Sequence, residues 1–362
     1  LELRGEEQTF AFEGVTERPV ASIGRGFSAP VRLDVERSLD ELAFLMAHDS
    51  DSFSRWESGQ ELCKRVLIAR VDDVLCKRPL SLEPVLVDAF RKVLTDPELD
   101  GSIKALTLTL PSEEVLSQEL KAVDPQAVHE ARLSLVTELA RALRSEWTAA
   151  YERHAEGSDA FVKAEVDRRR IKNRALRYLV ALEEPETISL AVEQFRSATG
   201  MTDYEAAFLC LVDLVSPETD EAIAAFYARW SDEPLVLDKW FRMQAMSDAD
   251  NVLDRVVELS RHPDFTLSNP NRARSLLYAF AAGNPIGFHR EDGAGYRFVA
   301  DQVLELDRIN PQVASRIVSS FNQWKRYEAG RSVQMRAGLD RIAADAAISK
   351  DVREIVERAL EG

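Results

Sequence analysis

The sequence predicts a mainly α protein, a superhelix of stacked helix pairs of the ARM/HEAT solenoid kind, preceded by a short β piece. Three observations predict it. From Ser38 onward nearly every apolar pattern has helical period, in segments of roughly 10 to 25 residues. The connections are short and carry Pro, Gly, Asn, Asp or Ser. Residues 1 to about 34 instead alternate in the strand manner between Gly and Pro. Tightly joined helices without a strict sequence period point to a degenerate solenoid.

The elements follow in order. Residues 8–12 (QTFAF), 19–23 (PVASI) and 26–33 (GFSAPVRL) read as short strands. About three strands make only a fragment of a sheet and need a packed partner. The chain also starts at Leu1 without Met, so it is expected to be the back end of something longer. Ser38-Leu39-Asp40-Glu41 is a capping box, and Thr202-Asp203-Tyr204-Glu205 is a second. Asp124-Pro125 opens a long helix with a stripe of Val128, Ala131, Leu135, Val136, Leu139 and Leu143. Further helices are expected near 51–78, 81–95, 158–181, 186–198, 217–230, 234–246, 249–260, 270–282, 296–308, 311–326, 328–344 and 349–360.

Composition narrows the partners. The chain has 362 residues, 45% hydrophobic and 30% charged, with a net charge of -16. That charge argues against a nucleic-acid phosphate backbone, which needs clustered Lys and Arg. No run of about 18 apolar residues suggests a membrane span, and no signal peptide is visible. Cys63, Cys76 and Cys210 are odd in number and lack metal spacing. They read as reduced core residues in a cytoplasmic protein.

The densest chemistry lies in residues 269–321. Asn-Pro occurs at Asn269-Pro270, Asn284-Pro285 and Asn310-Pro311, each a plausible helix start. Gln312 and Arg316 are four residues apart and share a helix face. Arg316 sits among small and apolar residues, so either an internal carboxylate holds it or it lines a polar cavity. Arg274 follows the first Asn-Pro. Residues 289–296 (HREDGAGY) form a polar loop.

Other candidates have plainer readings. His129-Glu130 starts like a zinc helix, but Leu133 replaces the second ligand, leaving a surface helix. Gly293-Ala294-Gly295 reads as a tight helix-to-helix connection, since Phe298 stands where a dinucleotide loop needs Gly. The basic run 168–174 (RRRIKNR) reads as a solvated helix face with Glu165 and Asp167 as partners. Asp238-Lys239 reads first as a local ion pair and second as a polar anchor in the helix stack, and the five Trp read as packing.

Several segments together resemble the C-terminal region of the bacterial aminopeptidase N family, the M1 (gluzincin) zinc aminopeptidases. They are 27–31 (FSAPV), 51–57 (DSFSRWE), 201–203 (MTD), 235–241 (LVLDKWF), 269–276 (NPNRARSL), 289–298 (HREDGAGYRF), 310–316 (NPQVASR) and 325–329 (KRYEA). The resemblance covers essentially the whole chain in order. It implies that residues 1–36 end a β-sandwich domain and residues 37–362 form the helical superhelix. It implies that this region caps the chamber of an enzyme that removes N-terminal residues from peptides. The partners would be the N-terminal and catalytic domains of the same parent chain, and peptide substrate. Gln312, Arg316 and Arg274 would face the substrate. The zinc of the parent would be held elsewhere, because HExxH, the third Glu ligand and GAMEN are absent here. The chain alone is thus expected to hold no catalytic or metal residues. The rival reading is a stand-alone helical scaffold for a protein partner. An enzyme with its own site at Arg274 and Arg316 lacks a base, a nucleophile and a ligand set.

Overall fold

Ser38 turns the chain into its first helix. Its hydroxyl accepts from Glu41 N at 3.1 Å, and the Glu41 carboxylate accepts from Ser38 N at 2.9 Å. This is the capping box read from the sequence. The computed structural model describes residues 4–27, 31 and 34–361.

The helices, in chain order, are α1 (Leu39–His48), α2 (Ser52–Leu75), α3 (Pro84–Thr95), α4 (Gly101–Thr107), α5 (Glu113–Glu119), α6 (Pro125–Ala142) and α7 (Arg144–Arg153). Then come α8 (Lys163–Val180), α9 (Pro185–Ser197), α10 (Met201–Val212), α11 (Pro217–Trp230), α12 (Pro234–Ala245) and α13 (Val252–Leu259). The last group is α14 (Pro270–Ala273), α15 (Ala279–Gly283), α16 (Pro285–Phe288), α17 (Ala294–Asp307), α18 (Pro311–Val318), α19 (Ala329–Ala343) and α20 (Lys350–Glu361). Pro is the first residue of α3, α6, α9, α11, α12, α14, α16 and α18, where its missing N–H costs nothing.

Several expectations change. Residues 8–12 and 19–23 form no paired strand, and the expected strand 26–33 falls partly outside the described residues. Strand geometry needs ladder partners, and the described residues offer these segments none. The stretch from Ser22 to Gly26 is tied instead to the α1–α2 turn. Arg25 pairs with Asp49 at 2.9 Å, and Gly26 N donates to Asp51 Oδ2 at 3.1 Å. The second capping box does not form. Gly200 is the N-cap of α10, because the Asp203 carboxylate is taken by Lys172 and Asn173. The expected helix 311–326 stops at Val318 and continues as 3-10 turns. Ser319 Oγ donates to Arg316 O at 2.6 Å, a local bond that competes with the helical ladder. Helices α4, α5 and α7 are short and showed no clear period in the sequence.

Two apolar cores fill the stack. The first gathers side chains of α1–α8, among them Leu62, Phe90, Leu135 and Trp147. The second runs from α8 to α20, with Phe208, Phe241, Phe280, Val303 and Leu339. Helix α8 serves both. Ile171, Ala175, Tyr178 and Leu179 face the first core, and Leu176 and Val180 face the second. Those spacings are two faces of one helix. Trp147 stacks on Tyr178 with ring centres 4.2 Å apart. Gly101 lets α4 lie directly on α8, since a Cβ there would meet Asp167 O at 2.2 Å.

The stack also closes on itself. Val123 and Tyr327 form a parallel bridge, in which Val123 N donates to Arg326 O at 2.8 Å and Glu328 N to Val123 O at 3.0 Å. Arg326 Nη2 donates to Ser117 O, Gln118 O and Leu120 O at 2.8, 3.2 and 3.1 Å. These carbonyls end α5, where unsatisfied acceptors welcome a cation. Buried Arg331 donates to His289 O at 2.6 Å and pairs with Glu328 and Asp124.

Candidate functional site

One row of helices carries the candidate residues. Helix α4 packs on α8, α8 on α10, α10 on α12, α12 on the π-helical turn Arg274–Tyr278, and that turn on α18. The three Asn-Pro motifs build the end of this row. Asn269 Oδ1 accepts from Asn271 N at 3.0 Å, Asn284 Oδ1 from Gly287 N at 2.8 Å, and Asn310 Oδ1 from Val313 N at 3.1 Å. Asn284 does more than cap. Its amide donates to Ala245 O and Ser247 O at 3.0 and 2.7 Å, which locks α16 to the end of α12.

Gln312 and Arg316 lie one turn apart on the outer face of α18, and both are exposed. Among the described residues, neither side chain has a hydrogen bond or ion pair. No carboxylate among the described residues holds Arg316. Arg274 starts the π-helical turn that packs against α18, but its guanidinium folds back on its own helix start. It donates to Asn271 Oδ1 at 2.6 Å and Pro270 O at 3.2 Å. The buried arginine of this motif is Arg272, which pairs with Asp238 at 2.5 Å and lies over the Phe241 ring. The Asp238-Lys239 pair is therefore not local. Asp238 reaches Arg272, and Lys239 reaches Glu205 on α10 at 2.6 Å.

A cleft of about 330 Å³ opens where the stack closes. Tyr278, Ser319, Ser320, Gln323 and Arg326 line one side, and Glu113, Glu114 and Gln118 the other. Spacing links it to the predicted residues. Tyr278 is four residues after Arg274, and Ser319 and Ser320 follow Arg316 by three and four. Ser320 Oγ is buried with no partner. These residues were not singled out in the sequence; the nearest signal was the Gln312–Arg316 face, which Ser319 and Ser320 follow by one turn beyond the end of α18.

Two histidines near the cleft have pKa values shifted in opposite directions. His289 is buried, its Nδ1 2.8 Å from Tyr296 Oη and its ring stacked on Tyr327. Burial, with the Arg331 charge beside it, pushes its pKa down to about 3, so it is neutral. His129 is not on the surface, as the sequence suggested, but packed against Glu113 with Nδ1 2.8 Å from its carboxylate. Burial works against its cation, yet the Glu113 hydrogen bond and charge outweigh that and hold its pKa above the usual value.

A larger groove of about 1000 Å³ lies between α4, α8, α10 and α12. The basic run 168–174 supplies its wall and is not a solvated face. Arg169 and Lys172 are buried, Arg168 pairs with Glu165 at 2.8 Å, and only Arg170 of its cations is exposed. Lys172 pairs with Asp203, which also accepts from Asn173 at 2.8 Å. Cys63 and Cys210 are buried as expected, whereas Cys76 is exposed; all three are free thiols.

The side chains present do not fit a zinc site. Among the described residues, no three His, Cys, Asp or Glu are grouped to hold a metal ion. No helix among them is long and apolar enough to cross a membrane. On α18, Arg316 and Gln312 present a guanidinium and an amide that suit carboxylates and peptide groups, while the cleft sets hydroxyls beside the Glu113 and Glu114 carboxylates.

Comparison with known proteins agrees with this architecture. Residues 39–361 match the family described as "Domain of unknown function (DUF3458_C) ARM repeats", and residues 1–36 match "Domain of unknown function (DUF3458) Ig-like fold". Aminopeptidase N of Escherichia coli is 38% identical over 360 residues, covering 99% of this chain and 41% of that protein. Aminopeptidase N of Caulobacter vibrioides is 36% identical over 359 residues, covering 98% of this chain and 41% of that protein. The crystal structure of Legionella pneumophila aminopeptidase A in complex with aspartic acid superposes with a TM-score of 0.86 at 31% identity. It covers 97% of this chain and 42% of that one. The chain thus spans about two fifths of the length of the relatives it matches. With an ARM-repeat superhelix behind an Ig-like segment, matched almost end to end, the chain belongs to the DUF3458_C family and corresponds to the C-terminal region of aminopeptidase N.

Proposed function

We propose that this chain is the non-catalytic superhelical region of a cytoplasmic, zinc-dependent aminopeptidase N. Residues 1–36 end its β-sandwich, and residues 37–362 cap the active-site chamber and line the substrate channel. Zinc and the hydrolytic groups come from the remainder of the parent chain. Its partners are those catalytic domains and the peptide substrate. Gln312 and Arg316 face the peptide, and Arg274 supports the same wall from the neighbouring turn.

The observation that carries this reading is the pair Gln312 and Arg316. A guanidinium and an amide stand side by side on α18, solvent-facing and without a partner among the described residues. An arginine that stabilises nothing within the chain is free to take a substrate carbonyl or carboxylate. The test is steady-state kinetics of the full-length enzyme. Arg316→Ala should raise KM about tenfold, equivalent to ~1.4 kcal/mol, and leave the melting temperature in place. Unchanged KM and unchanged substrate preference would refute the role. The isolated 362-residue chain should not hydrolyse aminoacyl amides.

A further inference from the structure

We infer that the groove between α4, α8, α10 and α12 is a binding site for a carboxylate on an apolar body, with Arg174 as the group that grips it. Arg174 stands in the wall shared by this groove and a smaller pocket of about 140 Å³ behind it. Its Nε is buried and has no hydrogen-bond partner. Among the described residues, the guanidinium makes no ion pair. Arg174 as a whole is half-buried, and a partly desolvated guanidinium with an unpartnered buried Nε is better stabilised when an anion is bound.

The carboxylates nearby do not supply that anion. Asp213 is paired with Arg177, whose other nitrogen lies 3.5 Å from Asp248. Glu205 is engaged by Lys239 at 2.6 Å. Arg170 and Arg242 line the same groove, exposed and without ion pairs among the described residues, and add to its positive field. Desolvation pulls the pKa of Arg174 below the ordinary guanidinium value, yet guanidinium stays protonated in proteins. The site therefore offers a planar fork of donors with no internal acceptor, the geometry that suits a carboxylate.

Beside these charged groups the groove exposes apolar side chains. Leu106, Leu209 and Met246 are 50%, 38% and 37% exposed there, and Met243 lies beside them. Methionines adapt to varied apolar shapes. Simple inorganic anions would leave these side chains uncovered. The ligand chemistry is thus a free carboxyl group joined to an apolar side chain, as at the end of a peptide. Naming a peptide as its source rests on the proposed function above. The Arg174 site itself does not.

Calorimetric titration of the 362-residue protein tests it, with N-acetyl-leucine, N-acetyl-leucinamide, acetate and phosphate as ligands. N-acetyl-leucine should bind at least tenfold more tightly than each of the other three. Arg174→Met should abolish that preference without lowering the melting temperature, because it removes an unpaired charge. Arg174→Lys, which keeps the charge but not the fork, should weaken binding severalfold. Equal binding of acid and amide, or a preference that survives Arg174→Met, would overturn the site. Phosphate or acetate binding as tightly as N-acetyl-leucine would overturn the apolar-body assignment. None of these results alters the KM test on Arg316, so failure here and failure of the chamber reading are separable.

Discussion

The two cores meet in two places, and the two junctions are built differently. At α8 they share one helix, apolar on both faces, with a sealed polar knot of Lys172, Asp203, Asn173 and Gln194. At the closing seam they meet through a backbone bridge, Arg326 on three carbonyls and Arg331 on His289 O. Neighbours along the chain are held close already, so burial alone suffices to bind them. Residues some 200 positions apart have many ways to meet, and directional hydrogen bonds select one register. The price of closing so long a loop grows only slowly with its length, which leaves a few polar contacts able to hold it.

Mutations separate the two junctions. The largest effect is expected at α8. Asp203→Ala leaves Lys172 charged, buried and unpaired, and should cost about 3–5 kcal/mol in urea unfolding. Replacing both, Lys172→Met with Asp203→Leu, should recover most of that loss. A single-variant cost below about 1 kcal/mol would remove the contrast. At the seam, Arg326→Ala should cost about 1.5–3 kcal/mol. Hydrogen exchange should quicken in residues 113–124 while α8 stays protected; equal quickening in α8 would show that the two junctions open together.

Acidity sharpens the comparison at the seam. Neutral His289 has its pKa pushed from the usual value to about 3. The unfolded chain takes up this proton near pH 6.5, the folded one only near 3. Its contribution is present above about pH 6.5 and lost as pH falls toward 3. His129 behaves oppositely, since Glu113 raises its pKa. That contribution is present below about pH 6.5 and lost as pH rises through the folded value. His289→Asn should therefore flatten the acid limb of the melting profile, and His129→Gln should reduce stability mainly on the acid side. Identical profiles for both would contradict the assignment. The smallest effect is expected at Arg316→Ala, within about 0.5 kcal/mol, because an exposed, unpaired side chain holds nothing together.

Helix starts were legible because their signal is local. Ser38 with Glu41, and the three Asn before Pro, each bond within three residues of themselves. The failures are where tertiary partners compete. Asp203 looked like part of a cap but serves Lys172, and Asp238 looked paired to its neighbour but serves Arg272. The basic run on α8 looked solvated because sequence does not show that another layer covers it. Of the candidate site, the shared face of Gln312 and Arg316 was legible from spacing. The retreat of Arg274 onto Asn271 and the isolation of Arg174 were not, since both depend on which side chains other helices bring.

An open solenoid is a spring, free to stretch, bend and change its pitch. Fastening residues 117–124 to 326–331 turns this one into a hoop. Strain put on one helix pair must then travel round the loop and be met at the clasp. Such a body keeps its curvature under load until the clasp lets go, so its elasticity is set less by its many helices than by Arg326 and Arg331.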